Sequence, residues 1–130
     1  MNRLLAAFAP AALALAAFAA PVAAQQQPSQ SPPQPEVPEL SLEHRMVLRC
    51  GAAFAMVAFG QENGNEDALK YPPMEPRGAE FFAVEVDRVM REAGLDDDQI
   101  VAALSAEADE IFQQGQLDEI MPACLSLLDK

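Results

Sequence analysis

Five prolines fall within the fourteen residues Gln25 to Pro38, and Val37 is the only hydrophobic side chain among them. Such a stretch lacks backbone donors at each proline and has almost nothing to bury. It reads as an extended, mobile spacer of polyproline-II character, with a proline-motif ligand as the functional alternative. A core must therefore be built from Glu39 to Lys130, the last 92 of 130 residues. A domain of that size buries roughly 60% of its unfolded surface, so its stability margin is thin and a covalent staple carries weight.

The residues before the spacer read as an export leader. Met1-Asn2-Arg3 is a short positive start, Leu4 to Phe18 is apolar and rich in Ala and Leu, and Pro21 precedes the small residues Val22-Ala23-Ala24. That pattern predicts a cleavable signal peptide over residues 1–24, cut between Ala24 and Gln25, with Ala17-Phe18-Ala19 as the second choice. The apolar stretch is short and interrupted by Pro10 and Pro21, which argues against an uncleaved membrane anchor. The first cysteine is Cys50, far from the cut, so a lipoprotein is not expected. The expected location is the periplasm or the medium, with no membrane attachment after cleavage.

Two cysteines, Cys50 and Cys124, remain after such a cut. An even pair in a small exported domain reads as a disulfide, and one intramolecular pairing exists. Free buried thiols, a redox pair and an intermolecular bridge are the rivals. A redox pair usually sits as Cys-x-x-Cys at a helix start, a pattern this sequence lacks.

Hydrophobic spacing predicts four helices and no strand. Helix one spans about Leu42 to Phe59, with Ser41 as N-cap, a buried stripe of Met46, Cys50, Ala53, Phe54 and Val57, and Gly60 as its stop. Gln61 to Arg77 is a long connection with an Asn63-Gly64 turn and room for one short helical turn over Glu66 to Lys70. Helix two spans about Ala79 to Ala93, with Phe82, Val86, Val89, Met90 and Ala93 inward, Gly94 as cap and Leu95 packing back. Helix three starts at Asp96, which with Gln99 makes a capping box. Its face is Ile100, Leu104, Ala108 and Ile111, with Phe112 beside them, and Gly115 stops it. Helix four, about Asp118 to Leu128, is short, and Pro122 fits only near its first turn. The expected fold class is all-α: a small antiparallel bundle of about four helices stapled by one disulfide.

No constellation of polar residues assembles a reaction. His44, the single histidine, reads as a solvated surface residue. Asp96-Asp97-Asp98 lacks the alternation of a calcium loop. Asn63, Asn65 and Asp67 do alternate, but Ala68 and Met74 stand where Gly and Glu are needed. Met46 and Cys50 sit one turn apart, as soft copper ligands would, but an oxidised Cys50 cannot ligate. Glu107, Asp109 and Glu110 fall on faces read as solvated, and no phosphate loop or zinc spacing occurs. The expectation is no cofactor, no metal and no catalysis.

Formal net charge is −12, from 8 Lys and Arg against 20 Asp and Glu; loss of Arg3 with the leader leaves 7 against 20, or −13. Such a chain repels nucleic acid and anionic lipid. Cationic partners are compatible, and the charge also favours solubility.

The residues Arg49-Cys50-Gly51-Ala52-Ala53-Phe54, Tyr71-Pro72, Arg77-Gly78, Phe81-Phe82 and Met121-Pro122-Ala123-Cys124-Leu125 resemble a group of small exported bacterial proteins. The resemblance spans the domain but not the spacer. It implies export and brings no activity. In architecture alone the chain is also similar to the acid-stress chaperones of the periplasm, although its cysteine spacing is longer. Three expectations follow: a non-catalytic binding protein with a protein partner, an acid-triggered holdase, or, least supported, an enzyme with no nominated residue.

Overall fold

The computed structural model describes Pro33 and residues 35–129. The leader, its cut at Ala24–Gln25 and most of the spacer lie outside these residues. No strand occurs among the described residues, and four helices form a small bundle.

Helix α1 runs Leu42–Glu62. Ser41 is its N-cap: the side-chain oxygen accepts from the His44 backbone N–H at 3.1 Å. The helix is buried round most of its circumference, because Val47, Leu48, Cys50, Gly51, Ala52, Ala53, Phe54 and Val57 are all inside. Sequence spacing marked only one stripe of this set. Met46, placed in that stripe, is 54% exposed. A helix apolar on nearly every side becomes the axis of a bundle rather than one of its walls, and α1 contacts every other helix.

Gly60 was expected to end α1, but the helix continues to Glu62. The glycine serves packing instead. A Cβ there would meet the Ala68 Cβ at 2.6 Å, so the missing side chain lets the return loop lie against the helix. Ala68–Lys70 makes a single 3-10 turn, shorter than the turn expected over residues 66–70. The loop is held by Gln61. Its Nε2 donates to the carbonyls of Ala68, Tyr71 and Pro72 at 3.0 to 3.3 Å, and its Oε1 accepts from the Met74 N–H at 3.0 Å. Met74 is thereby carried into the core. The Glu75–Pro76 peptide bond is cis.

Helix α2 is composite: α-helical over Arg77–Phe81, π-helical over Phe82–Val86 and α-helical again over Asp87–Ala93. The Asp87 N–H reaches the Phe82 carbonyl five residues back. This wider turn explains a departure from the expected stripe. Phe81 and Val86, five apart, are both buried, while Phe82 is only half-buried. An uninterrupted α-helix brings residues three or four apart to one face. The Phe81 ring packs edge-on against Phe54 of α1, centroids 5.1 Å apart.

Both expected glycine caps form. Gly94 and Gly115 adopt left-handed φ of 67° and 63°. Leu95 donates to the Met90 carbonyl at 2.9 Å and is buried, the hydrogen bond and apolar contact of a Schellman ending. Helix α3 spans Asp97–Gln114, and its capping box is complete: Asp96 accepts from Gln99 N at 2.8 Å and Gln99 Oε1 accepts from Asp96 N at 3.1 Å.

Helix α4 spans Leu117–Leu128 and runs straight through Pro122, the sixth residue. The proline therefore lies beyond the first turn, where it was expected. Its ring is exposed, and the missing donor forfeits one bond of the helical ladder. Burial of Met121 and the bond at Cys124 hold the helix against that cost.

Cys50 and Cys124 are joined by a disulfide, with Cα atoms 5.2 Å apart across 74 residues of sequence. Closing so long a loop in the unfolded chain stabilises the fold by at most about 4 kcal/mol. The last residues before α1 also belong to the domain. Val37 and Leu40 pack on the core, and the Glu36 carbonyl accepts from Gln99 Nε2 at 2.9 Å. The spacer as read from composition extended through Pro38; its final residues lie on the bundle.

The Gly60 packing predicts an inverted substitution effect. Gly60→Ala gains helix propensity of up to about 1 kcal/mol in an open helix. Here the extra methyl meets Ala68, and the expected result is a net loss of about 1–2 kcal/mol in urea unfolding, since overpacking outweighs propensity. A stabilised Gly60→Ala protein would show that the loop does not press on α1.

Candidate functional site

Several polar side chains of this bundle pair with each other and link helices. Arg49 of α1 donates to Glu107 of α3 at 2.9 Å, lies 3.6 Å from Glu110, and hydrogen-bonds Gln116 in the α3–α4 turn. The Glu107 side chain is only 12% exposed, so it does not lie on the solvated face expected for it. Arg77 of α2 bonds Asp129 at 2.8 Å and the Leu128 carbonyl at the end of α4. The Tyr71 hydroxyl donates to Asp118; burial first, then that carboxylate, pushes its pKa up to about 12, and it stays protonated as a donor.

His44 also departs from expectation. Its side chain is largely covered, and Nε2 lies 3.0 Å from Glu92 Oε2 on α2. Glu92 in turn accepts from Arg88 at 2.9 Å, and Arg88 donates to Glu85 and lies 3.6 Å from Glu43. The His44 hydrogen bond, with Arg88 behind it, holds the Glu92 carboxyl below its ordinary value. This cluster clasps the start of α1 to the end of α2. Its members are one imidazole, one guanidinium and three carboxylates, with no hydroxyl or thiol among them. Among the described residues, no group of three His, Cys, Asp or Glu side chains is arranged to hold a metal. Asn65, weighed above as a calcium ligand, instead accepts from the Asp67 and Ala68 N–H groups as a turn residue.

What the bundle leaves open is apolar. Two adjoining depressions of about 270 and 420 Å³ share Ala55, Phe59 and Phe82. Together they form a groove bounded by α1, α2 and α3. Its floor is small: Ala52, Ala55, Ala58, Gly78, Ala79 and Ala108. Its walls are Phe59, Phe82, Val101 and Leu104. Phe59 is 68% and Val101 62% exposed. On α3 the spacing Val101, Ser105, Ala108, Phe112 makes a second stripe beside the core stripe. Phe112, expected beside the core, is 78% exposed at the end of it.

The local reason for the groove is close approach. Gly51 brings α1 against α2 and α3: a Cβ there would lie 3.1 Å from Val86 Cγ2 and 3.6 Å from both Leu104 and Phe82. The π turn then sets Phe82 at the groove while Phe81 fills the core. π-helical turns recur at functional positions, and contiguous exposed apolar surface marks interaction sites in soluble domains. Glu62 and Glu75 line one half. A separate depression, of about 480 Å³, lies between α1, α2 and α4, lined by Leu42, Met46, Val47, Phe81 and Leu127 and edged by Glu43, Glu85 and Arg88.

Cys50 and Cys124, the site residues named from sequence, are structural and do not line either surface. Phe82, Leu104 and Ala108 were read as core; the groove was not read at all. Two apolar stripes on α3, one more than packing needs, are the signal that could have found it.

Fold and surface together define a class: a small disulfide-stapled, all-α domain carrying an apolar groove. No protein-family model matches the chain, and no curated protein or solved structure matches it either.

The Glu92 environment predicts a pH effect. A carboxyl whose native pKa is depressed stabilises the fold above its ordinary value of 4.5 and loses that contribution as pH falls through the native value. Glu92→Gln should therefore be less stable than the parent at neutral pH, with the two urea-unfolding curves converging as pH drops below 4.5 towards 3. Parallel curves across that range would remove the clasp as a stabilising element.

Proposed function

We propose that this chain is exported through a cleavable leader and acts in the periplasm or medium as a non-catalytic binding module. The observation that carries the binding reading is the groove, an alanine floor between aromatic walls on a rigid, crosslinked bundle. Several features favour export. The leader has the three-part composition of a signal peptide, and the Cys50–Cys124 bond is compatible with an oxidising compartment. The residue pattern around Cys50 and Cys124, read above as resembling small exported bacterial proteins, is in keeping with the same reading.

The test joins location to groove. Protein from an envelope or medium fraction should begin at Gln25 and weigh two hydrogens less than its reduced form. Used as bait, it should retain a stoichiometric partner that Ala55→Arg, a change on the exposed groove floor, releases. An intact leader in soluble cytosol sinks the export reading. A partner held equally well by Ala55→Arg sinks the groove.

One observation favours a second reading, the acid-triggered holdase. The links between helices, Arg49–Glu107, His44–Glu92 and Arg77–Asp129, each need an ionised carboxylate. At about pH 2–3 most carboxylates are neutral, and the mature charge swings from −13 to +8, the 7 Lys and Arg plus His44. Repulsion of that kind loosens small bundles and bares apolar surface. Light scattering of an aggregating client at that pH should fall in the presence of the protein; an unchanged signal at molar excess ends the holdase reading.

A further inference from the structure

The groove's surroundings specify its occupant further, on the premise that it is a binding surface. Glu62 and Glu75 line one half of it, and neither forms an ion pair among the described residues. Asp98 sits beside Val101 and Ser105 on the outer flank of α3, and Asp109, four residues after Ser105, continues that edge. No Lys or Arg lines either half. Arg49, Lys70, Arg77, Arg88 and Arg91 are engaged with carboxylates elsewhere, and Arg45 lines a separate depression with Val37, Leu48 and Ala103. An apolar trough is thus bordered by uncompensated negative charge on its α1–α2 side and along α3.

We propose that this groove binds a cationic amphipathic helix of a partner protein, with the apolar face laid on Ala55, Phe59, Phe82 and Val101 and flanking Lys or Arg side chains over Glu62, Glu75, Asp98 and Asp109. A helix suits the floor, because small residues allow close approach of a second backbone cylinder, and helix-in-groove docking reads apolar anchors at three- and four-residue steps. No strand edge among the described residues is open to an extended peptide. The other occupants are disfavoured by charge. An anionic lipid surface and a second copy of this chain would each bring negative charge to an acidic rim. The same net charge of −13 steers a basic segment toward the protein before contact.

The experiment uses the mature, oxidised protein and fluorescently labelled synthetic peptides read by anisotropy. One peptide is an amphipathic Leu/Lys helix about 18 residues long, enough for five turns. A second has the same composition in scrambled order, and a third replaces Lys with Glu. The Leu/Lys helix should bind at least about tenfold more tightly than its scramble, weaken as salt rises, and leave the Leu/Glu helix unbound. Glu62→Gln with Glu75→Gln should weaken it several-fold, about the effect of removing two rim charges. Glu39→Gln with Glu119→Gln, two exposed acids that do not line the groove, should not. Ala55→Arg and, independently, Phe59→Ser should abolish binding while circular dichroism and thermal midpoint stay near the parent's.

Equal binding of helix and scramble would reduce the effect to bulk charge and overturn the proposal. So would equal binding of the Leu/Lys and Leu/Glu helices, or indifference to Ala55→Arg and Phe59→Ser. A groove-dependent dimer in sedimentation, lost in Ala55→Arg, would assign the surface to a second copy. If Ala55→Arg still releases the natural partner while the Leu/Lys helix fails to bind, the binding role stands and only the cationic helix is wrong.

Discussion

The Cys50–Cys124 bond crosslinks the two ends of the fold's logic. Cys50 lies in the middle of α1, the helix that touches every other helix, and Cys124 lies in the last helix, the one that carries a proline inside it. A central helix needs its neighbours to be present before its burial is favourable. The bond supplies the most distant neighbour at no further loop-closure cost in the oxidised chain. The interior is small and consists almost wholly of aliphatic and aromatic side chains, with no buried polar or charged residue among those described. Specificity must come from elsewhere, and the ion pairs running between helices at the edge of the core supply it. Arg49 ties α1 to α3, Arg77 ties α2 to the end of α4, and His44 with Arg88 ties α1 to α2.

Signals confined to a few residues were legible in the sequence, and signals that depend on a neighbour were not. The Asp96–Gln99 capping box, the left-handed glycines 94 and 115 and the Ser41 cap each rest on local backbone chemistry, and each stands where it was read. The cysteine pairing was legible because only two cysteines exist. Gly60 misled because a glycine after an apolar run resembles a stop, whereas its use is fixed by Ala68 eight residues on. Pro122 misled in the same way: the backbone penalty is local, but Met121 and Cys124 decide the outcome from the core. Met46 and Phe112 show the limit of periodicity, which finds apolar stripes without saying what covers them.

Arg49, Cys50, Gly51, Phe54, Met121 and Cys124, singled out together in the sequence, build the fold. Arg49 makes the α1–α3 clasp, Cys50 and Cys124 the crosslink, Gly51 the close crossing, and Phe54 the deepest aromatic of the core. Met121 is fully buried. A pattern of this kind specifies a scaffold, and scaffolds serve many functions. The groove is built mostly from other positions, chiefly Ala55, Phe59, Val101 and Ala108.

The π turn of α2 is where scaffold and groove meet. In a regular α-helix Phe81 and Val86 lie about 140° apart round the axis, since five steps of 100° overshoot one full turn, and both could not face α1. The wider turn lets both fill the core, with Phe81 against Phe54 and Val86 against Gly51. Phe82 is then released from the interior to stand between the two halves of the groove. The sequence could have buried Phe82 in a regular helix, as its spacing suggested. The fold instead keeps a turn of poorer hydrogen-bond geometry and holds a half-exposed aromatic ring beside Phe59. Regularity of α2 is given up so that Phe81 and Val86 both reach α1, and the half-exposed Phe82 ring lining both parts of the groove is a consequence of that packing.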